Sequence, residues 1–283
     1  MGTHDYAAPI TGTERTVEGS DGTRLRTVSA GEGERTVVLA HGYGAGADAW
    51  NVVASKLAAQ GVRVIAFDQR GHGGSTIGSG GIGSPQMAGD YASILETYEL
   101  EDAVLVGHSM GGFLALAFLL DGGKDATRRV GSLLLMSTFA GDVSRKNPQN
   151  RLQIPLIKSG VLPRLLQFGP VATAFTKSLI GDGYEPEMAP AFTETFLAAD
   201  HAQLVPILQA MVDESRYDRL GELDLPCTVL VGTKDKTTPP FHTADLHAGI
   251  AGSKLVSLPG VGHGPNWEDP SAIVNEIVGL ANL

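Results

Sequence analysis

Short apolar runs punctuate the chain, and between them the spacing of apolar positions changes to that of a helix. Residues 36–40, 62–67, 103–106, 132–136 and 228–231 are almost continuously apolar, all but 132–136 with β-branched side chains, as expected of strands covered on both faces. A further run at 254–258 is shorter and more amphipathic. Near the start, 13–18 and 23–29 flank Gly19-Ser20-Asp21-Gly22, a turn that predicts a hairpin. Residues 50–59 and 87–98 carry apolar positions at helical spacing, 112–120 are almost wholly apolar, and 271–280 place Ile273, Ile277 and Leu280 on one face. Strands alternating with helices predict an α/β protein: a mainly parallel sheet, helices on both faces, and an antiparallel hairpin at its leading edge.

One stretch breaks this alternation. From 141 to 218 there is no convincing strand, only apolar helical fragments interrupted by Pro155, Pro163, Pro170, Pro186, Pro190 and Pro206. Leu204, Leu208 and Met211 share a face there, as do Phe192 and Phe196. The pattern predicts a core made of 1–140 and 219–283, with 141–218 as a helical cap over the carboxyl ends of the strands.

Chemistry enters at Gly107-His108-Ser109-Met110-Gly111, which follows the run 103–106 and precedes the apolar helix. A G-x-S-x-G segment between strand and helix is a nucleophile elbow: its glycines permit a sharp turn, and the serine Oγ is left exposed. The serine needs a base. Of eight histidines, His263 is set apart by Pro259-Gly-Val-Gly-His-Gly-Pro265, a turn-forming loop between the last strand and the last helix. His41 and His72 sit in Gly-rich turns, and His108 is expected to point away from the serine. Asp235, on the loop after 228–231, is the expected acid, which gives the chain order Ser109, Asp235, His263. Asp142 is the second choice, and Asp269, before Pro270, is expected to cap the last helix alongside Glu268. His41-Gly42-Tyr43-Gly44 follows the strand 36–40, so backbone N–H groups of Tyr43 and Met110 are the expected oxyanion donors.

Composition narrows the partners. With 31 Asp and Glu against 21 Lys and Arg, the net charge of −10 repels phosphate backbones and anionic headgroups, so neither nucleic acid nor stable membrane association is expected. The single Cys227 forms no intramolecular disulfide, makes no metal site alone, and reads as a small buried apolar residue in a reducing compartment. The N-terminus lacks a signal-peptide pattern, so the expectation is a soluble cytoplasmic protein. No P-loop, dinucleotide fingerprint or H-E-x-x-H is present, no cofactor is expected, and the glycines at 78–83 read as a flexible loop.

With these pieces placed, the sequence resembles the α/β-hydrolase superfamily over nearly its whole length. Phe67-Asp-Gln-Arg-Gly-His-Gly-Gly-Ser75 is similar to the family's D-x-R-G-x-G-x-S segment, and the resemblance implies a structural role for Asp68 and Arg70. It also implies an α/β-hydrolase fold with a helical cap. Family members that open epoxides or displace halide use an aspartate at the elbow, where this chain has Ser109. The expected activity is hydrolysis of small to medium apolar esters through an acyl-enzyme. Alternatives on the same triad are C–C bond hydrolysis, lactone or thioester hydrolysis, and cofactor-free perhydrolase chemistry; a small-molecule receptor on the hydrolase fold is a third class. Relatives that cleave C–C bonds often carry G-N-S-M-G-G, and His108 replaces that Asn here. Substrate identity and oligomeric state stay open at this level.

Overall fold

The computed structural model describes residues 4–123 and 127–281. Eight strands form one sheet in the order β1-β2-β4-β3-β5-β6-β7-β8: β1 Thr13–Glu18, β2 Arg24–Ala30, β3 Thr36–Ala40, β4 Arg63–Phe67, β5 Ala103–His108, β6 Val130–Met136, β7 Cys227–Gly232 and β8 Lys254–Leu258. β1 and β2 make the expected hairpin, and β2 lies antiparallel to β4. All remaining pairings are parallel.

The central strands read as continuous apolar runs because alternate side chains serve opposite faces. Val38, Leu105, Leu133 and Val229 face one core, with α2 (Ser84–Thr97) and α3 (Met110–Asp121) packed over it. Val37, Leu39, Val104 and Leu134 face the other, under α1 (Asn51–Ala58) and the last helix. The helix at α3 is buried on every side from Met110 to Phe118, which is why its sequence shows no polar stripe.

Between β6 and β7 lie five α-helices, a short 3-10 helix (Tyr217–Glu222) and no strand: α4 (Pro148–Lys158), α5 (Val161–Leu165), α6 (Gly169–Leu179), α7 (Met188–Ala198) and α8 (Val205–Asp213). After them come α9 (Pro240–Gly249), α10 (Pro265–Glu268) and α11 (Pro270–Leu280). The helix α9 has no counterpart among the sequence expectations. Only Leu246 and its neighbours His242 and Thr243 are buried, so its apolar stripe is too thin to read.

The glycine-rich segment 78–83 is tied to the hairpin β1–β2. Asp21 and Thr23 of the hairpin hold it, through Gly78 N–H to Thr23 Oγ1 at 2.9 Å and Gly80 N–H to Asp21 Oδ2 at 3.0 Å. Asp21 in turn pairs with the buried Arg70, which also forms a two-pronged bond to Asp90 at 2.9 and 2.7 Å. Cys227 is buried, as its place at the head of a strand implies, and burial pushes its thiol up to about 12.

Candidate active site

The chain leaves β3 for β4 on one side and later enters β5 on the other, so the carboxyl ends of β3 and β5 diverge around a crevice. The elbow occupies that point. Residues 107 and 108 continue β5, pairing with Leu135 and Met136, and α3 begins at Met110 rather than after Gly111. Ser109 alone makes the turn, at φ 53° and ψ −118°, a left-handed conformation that a side chain adopts only under strain. Two close approaches make this turn possible. A Cβ on Gly107 would lie 2.5 Å from Gly112 Cα, and one on Gly111 would collide with the carbonyl of Ala40. The strained backbone is pinned by Ser109 N–H to Met136 O at 3.0 Å and Thr138 Oγ1 to Ser109 O at 2.6 Å.

Three residues expected from sequence meet here although Ser109 lies 126 positions before Asp235 and 154 before His263. His263 Nε2 lies 3.1 Å from Ser109 Oγ, and His263 Nδ1 lies 2.9 Å from Asp235 Oδ2. A carboxylate only accepts, so Nδ1 carries the proton and Nε2 is left to accept from the serine hydroxyl. Burial alone would raise Asp235, but the facing His263 and donors from Thr238 outweigh it and hold the carboxyl below its ordinary range. Thr237 and Thr238 N–H groups each reach Asp235 Oδ1 at 2.9 Å, and the Thr238 hydroxyl reaches Oδ2 at 2.9 Å. Thr238 also lies 3.3 Å from His263 Nδ1, and sequence reasoning missed it. A hydroxyl three residues after a loop aspartate is the only trace it leaves in the chain.

Other residues correct the sequence picture. His108 does not point away: its Nε2 is 2.8 Å from the His263 carbonyl and its ring stands 4.9 Å from the imidazole. Burial, with His263 beside it, lowers His108 to about 3, so it stays neutral and donates to that carbonyl. Asp269 caps α11, accepting from Ala272 N–H at 3.0 Å, but Glu268 does not share that work. Its carboxylate gathers N–H groups of Gly262 at 2.9 Å, Gly264 at 3.2 Å and Gly181 at 2.7 Å, which joins the histidine loop to the end of α6. Burial raises Glu268, and those backbone donors offset part of the rise. Asp142 spends its carboxylate on Ser144.

The loop after β3 closes the other side. His41 Nδ1 donates to Gly42 O at 2.7 Å while Nε2 accepts from Gln69 N–H at 2.9 Å, and burial lowers His41 to about 4. Asp68 accepts from Ala47 N–H at 2.6 Å and Gly74 N–H at 2.8 Å, tying this loop to the one after β4. The N–H groups of Tyr43 and Met110 find no acceptor among the described residues. The Tyr43 hydroxyl donates to His201 Nδ1 at 2.8 Å, a contact from the helical insertion.

Ser109 and His263 stand in the wall of a cavity of about 170 Å³. The insertion supplies its apolar side through Ile157, Phe175, Phe192, Phe196, Leu208 and Met211. Its other polar groups are neutral, among them Asn150, Gln153, Thr237 and Asn266. Among the described residues, no cluster of His, Cys, Asp and Glu is arranged to hold a metal ion.

Sheet order, elbow and cavity together define a hydrolase of the α/β class. The chain belongs to the alpha/beta hydrolase family, whose model matches residues 37–277. It is 30% identical over 282 residues to a 2-hydroxy-6-oxononadienedioate/2-hydroxy-6-oxononatrienedioate hydrolase of Cupriavidus pinatubonensis, covering 94% of each chain. It is 27% identical over 239 residues to a putative non-heme chloroperoxidase of Synechocystis, covering 82% of this chain and 85% of the other. Among solved structures, a thermophilic esterase from Thermogutta terrifontis superposes with a TM-score of 0.78 at 26% identity, covering 94% of this chain and 97% of the other. No helix among the described residues is long and apolar enough to cross a membrane.

Proposed function

We propose that the protein hydrolyses carboxylic esters of small to medium, uncharged and largely apolar substrates through an acyl-enzyme on Ser109. One observation carries the reading: the Ser109–His263–Asp235 hydrogen-bond chain ends in a cavity whose lining includes no Asp, Glu, Lys or Arg. Ser109 Oγ attacks the carbonyl carbon as its proton passes to His263 Nε2. Asp235 keeps Nδ1–H oriented and stabilises the imidazolium. The oxyanion falls to the Tyr43 and Met110 N–H groups, and the α3 N-terminus adds its partial positive charge. The imidazolium then protonates the leaving alcohol. Water repeats the sequence in reverse, releasing the acid and restoring Ser109. In this reading the insertion 141–218 acts as a cap that selects the acyl or alcohol part by shape and apolar contact.

The relatives named for a dienedioate give the second reading, hydrolysis of a C–C bond on the same three residues. A doubly anionic substrate would lose its hydration in this cavity without a cation to replace it, which favours the neutral ester. Perhydrolase chemistry, with peroxide taking the place of water at the acyl-enzyme, is raised by the chloroperoxidase relative.

The test is release of p-nitrophenol from a series of acyl esters at about pH 7–8, where an ordinary imidazole is neutral. Turnover that peaks at short to medium chains supports the ester reading. Cleavage of a dienedioate with inert esters overturns it, and stoichiometric labelling of Ser109 by a fluorophosphonate without turnover of any ester would place the protein with small-molecule receptors.

A further inference from the structure

The insertion has a second, outward face. Among the described residues six large apolar side chains are exposed, and five of them, Leu152, Val161, Leu165, Phe168 and Val171, fall within twenty consecutive positions of α4, α5 and the start of α6. Phe168 is 64% exposed and Leu152 66%, and every residue from 167 to 171 is exposed. Apolar side chains concentrated in this way on a soluble surface mark a site of association.

Charge singles out the same stretch. Residues 143–181 hold six of the chain's 21 cations and none of its 31 acidic residues. Arg151, Lys158, Arg164 and Lys177 lie on the very helices that carry the exposed apolar groups. The rest of the molecule carries a net charge of −16, and its field is screened beyond roughly 8 Å at physiological salt. An approaching surface therefore senses a basic, apolar face. A second copy docked face to face would set like charges against each other.

We propose that the outer face of α4, α5 and the start of α6 docks reversibly on an anionic lipid surface. Basic groups meet the headgroups while Phe168, Leu165 and Leu152 enter the boundary with the acyl chains. The opposite sides of α4 and α6 line the cavity through Ile154, Ile157, Phe175 and Leu179, so the docked helices stand between lipid and Ser109. The docking surface is independent of which bond Ser109 cleaves.

Flotation of the full chain with phosphatidylcholine vesicles, with and without phosphatidylglycerol, tests this directly. Binding is expected only to the anionic vesicles, and it is lost at 1 M salt, where the screening length shrinks to about 3 Å. The pair Arg151→Gln and Arg164→Gln lowers partitioning roughly tenfold, and Phe168→Ser with Leu165→Gln does at least as much. None of these residues lines the cavity, so hydrolysis of a water-soluble ester and the thermal midpoint stay unchanged. Leu255→Ser, which removes the one exposed large apolar group outside this stretch among the described residues, leaves binding intact. Equal binding to neutral and anionic vesicles, indifference to all four substitutions, or a Phe168-dependent dimer in sedimentation velocity without lipid binding would each overturn the proposal.

Discussion

On the sheet side of the cavity, polar atoms and backbone hold Ser109, Asp235 and His263. Ser109 is fixed by two backbone-directed hydrogen bonds, Asp235 by three donors from Thr237 and Thr238, and His263 by its own N–H to Leu179 O at 2.7 Å. On the insertion side, Phe175, Phe192 and Phe196 are held mainly by one another, with ring centroids 5.4 to 6.3 Å apart. Of the five insertion helices only α4 has a side-chain cap, from Asn147. Directional bonds fix side-chain positions to a fraction of an ångström, while apolar contact leaves the phenylalanine wall free to repack. Polar joints cross between the two sides, among them Glu268 on Gly181, Tyr43 on His201, and Asn147 and Asn150 on the Thr237 carbonyl.

The sharpest break of this contrast is Ser109→Ala. It is expected to cut ester kcat/KM by roughly 10⁴-fold or more while the melting temperature holds, since the serine's strained conformation contributes nothing to the core. Asp235→Asn should lose a similar factor by reversing the His263 tautomer. Steady-state kinetics beside thermal melts checks both, and residual activity within tenfold of wild type would mean another nucleophile.

Arg70→Ala strikes the support of the sheet side. It leaves Asp90 buried without its cation and releases the loops held through Asp21, so a loss of about 3–5 kcal/mol is expected in urea unfolding. A loss under 1 kcal/mol, on the order of a surface ion pair, would mean the buried pair does not brace the site.

Acid should act on the same side. His41 and His242 are lowered to about 4, and His72 and His108 to about 3, chiefly by burial. Below the ordinary histidine value of about 6.5 the unfolded chain binds protons that the folded chain refuses. The stability these neutral rings contribute is complete above that value and drains away as pH falls toward their folded values, by up to about 1.4 kcal/mol per pH unit for each. Urea midpoints across this window should fall steeply, and a flat profile would show the rings charged in the fold.

The smallest effect is expected on the insertion side. Phe192→Ala enlarges the cavity without touching a hydrogen bond of the site, so the ratio of kcat/KM for longer over shorter acyl esters should rise roughly tenfold, with kcat on the preferred ester little changed. If the chain-length profile stays where it was, that wall does not set specificity.

Much of this could be read from the chain. Continuous apolar runs revealed β3 to β7 because strands covered on both faces have no polar alternation, and glycine spacing revealed the elbow because only residues without Cβ permit its close approaches. Ser109, Asp235 and His263 were legible from loop position and chain order. Helix α9 was not, because its buried stripe is thin, and neither were Thr238, Glu268 or the inward turn of His108. Those roles arise where segments far apart in sequence converge, and a local pattern carries no record of such a meeting. The sequence by itself determined the sheet and the turn, since each follows from local sterics and periodicity, and it singled out Ser109, Asp235 and His263, which the fold brings together. Only the tertiary structure decided how 141–218 faces Ser109, with Phe175, Phe192 and Phe196 turned inward and Phe168 and a basic, apolar surface turned out, because that division depends on which side of each helix the sheet leaves room to bury.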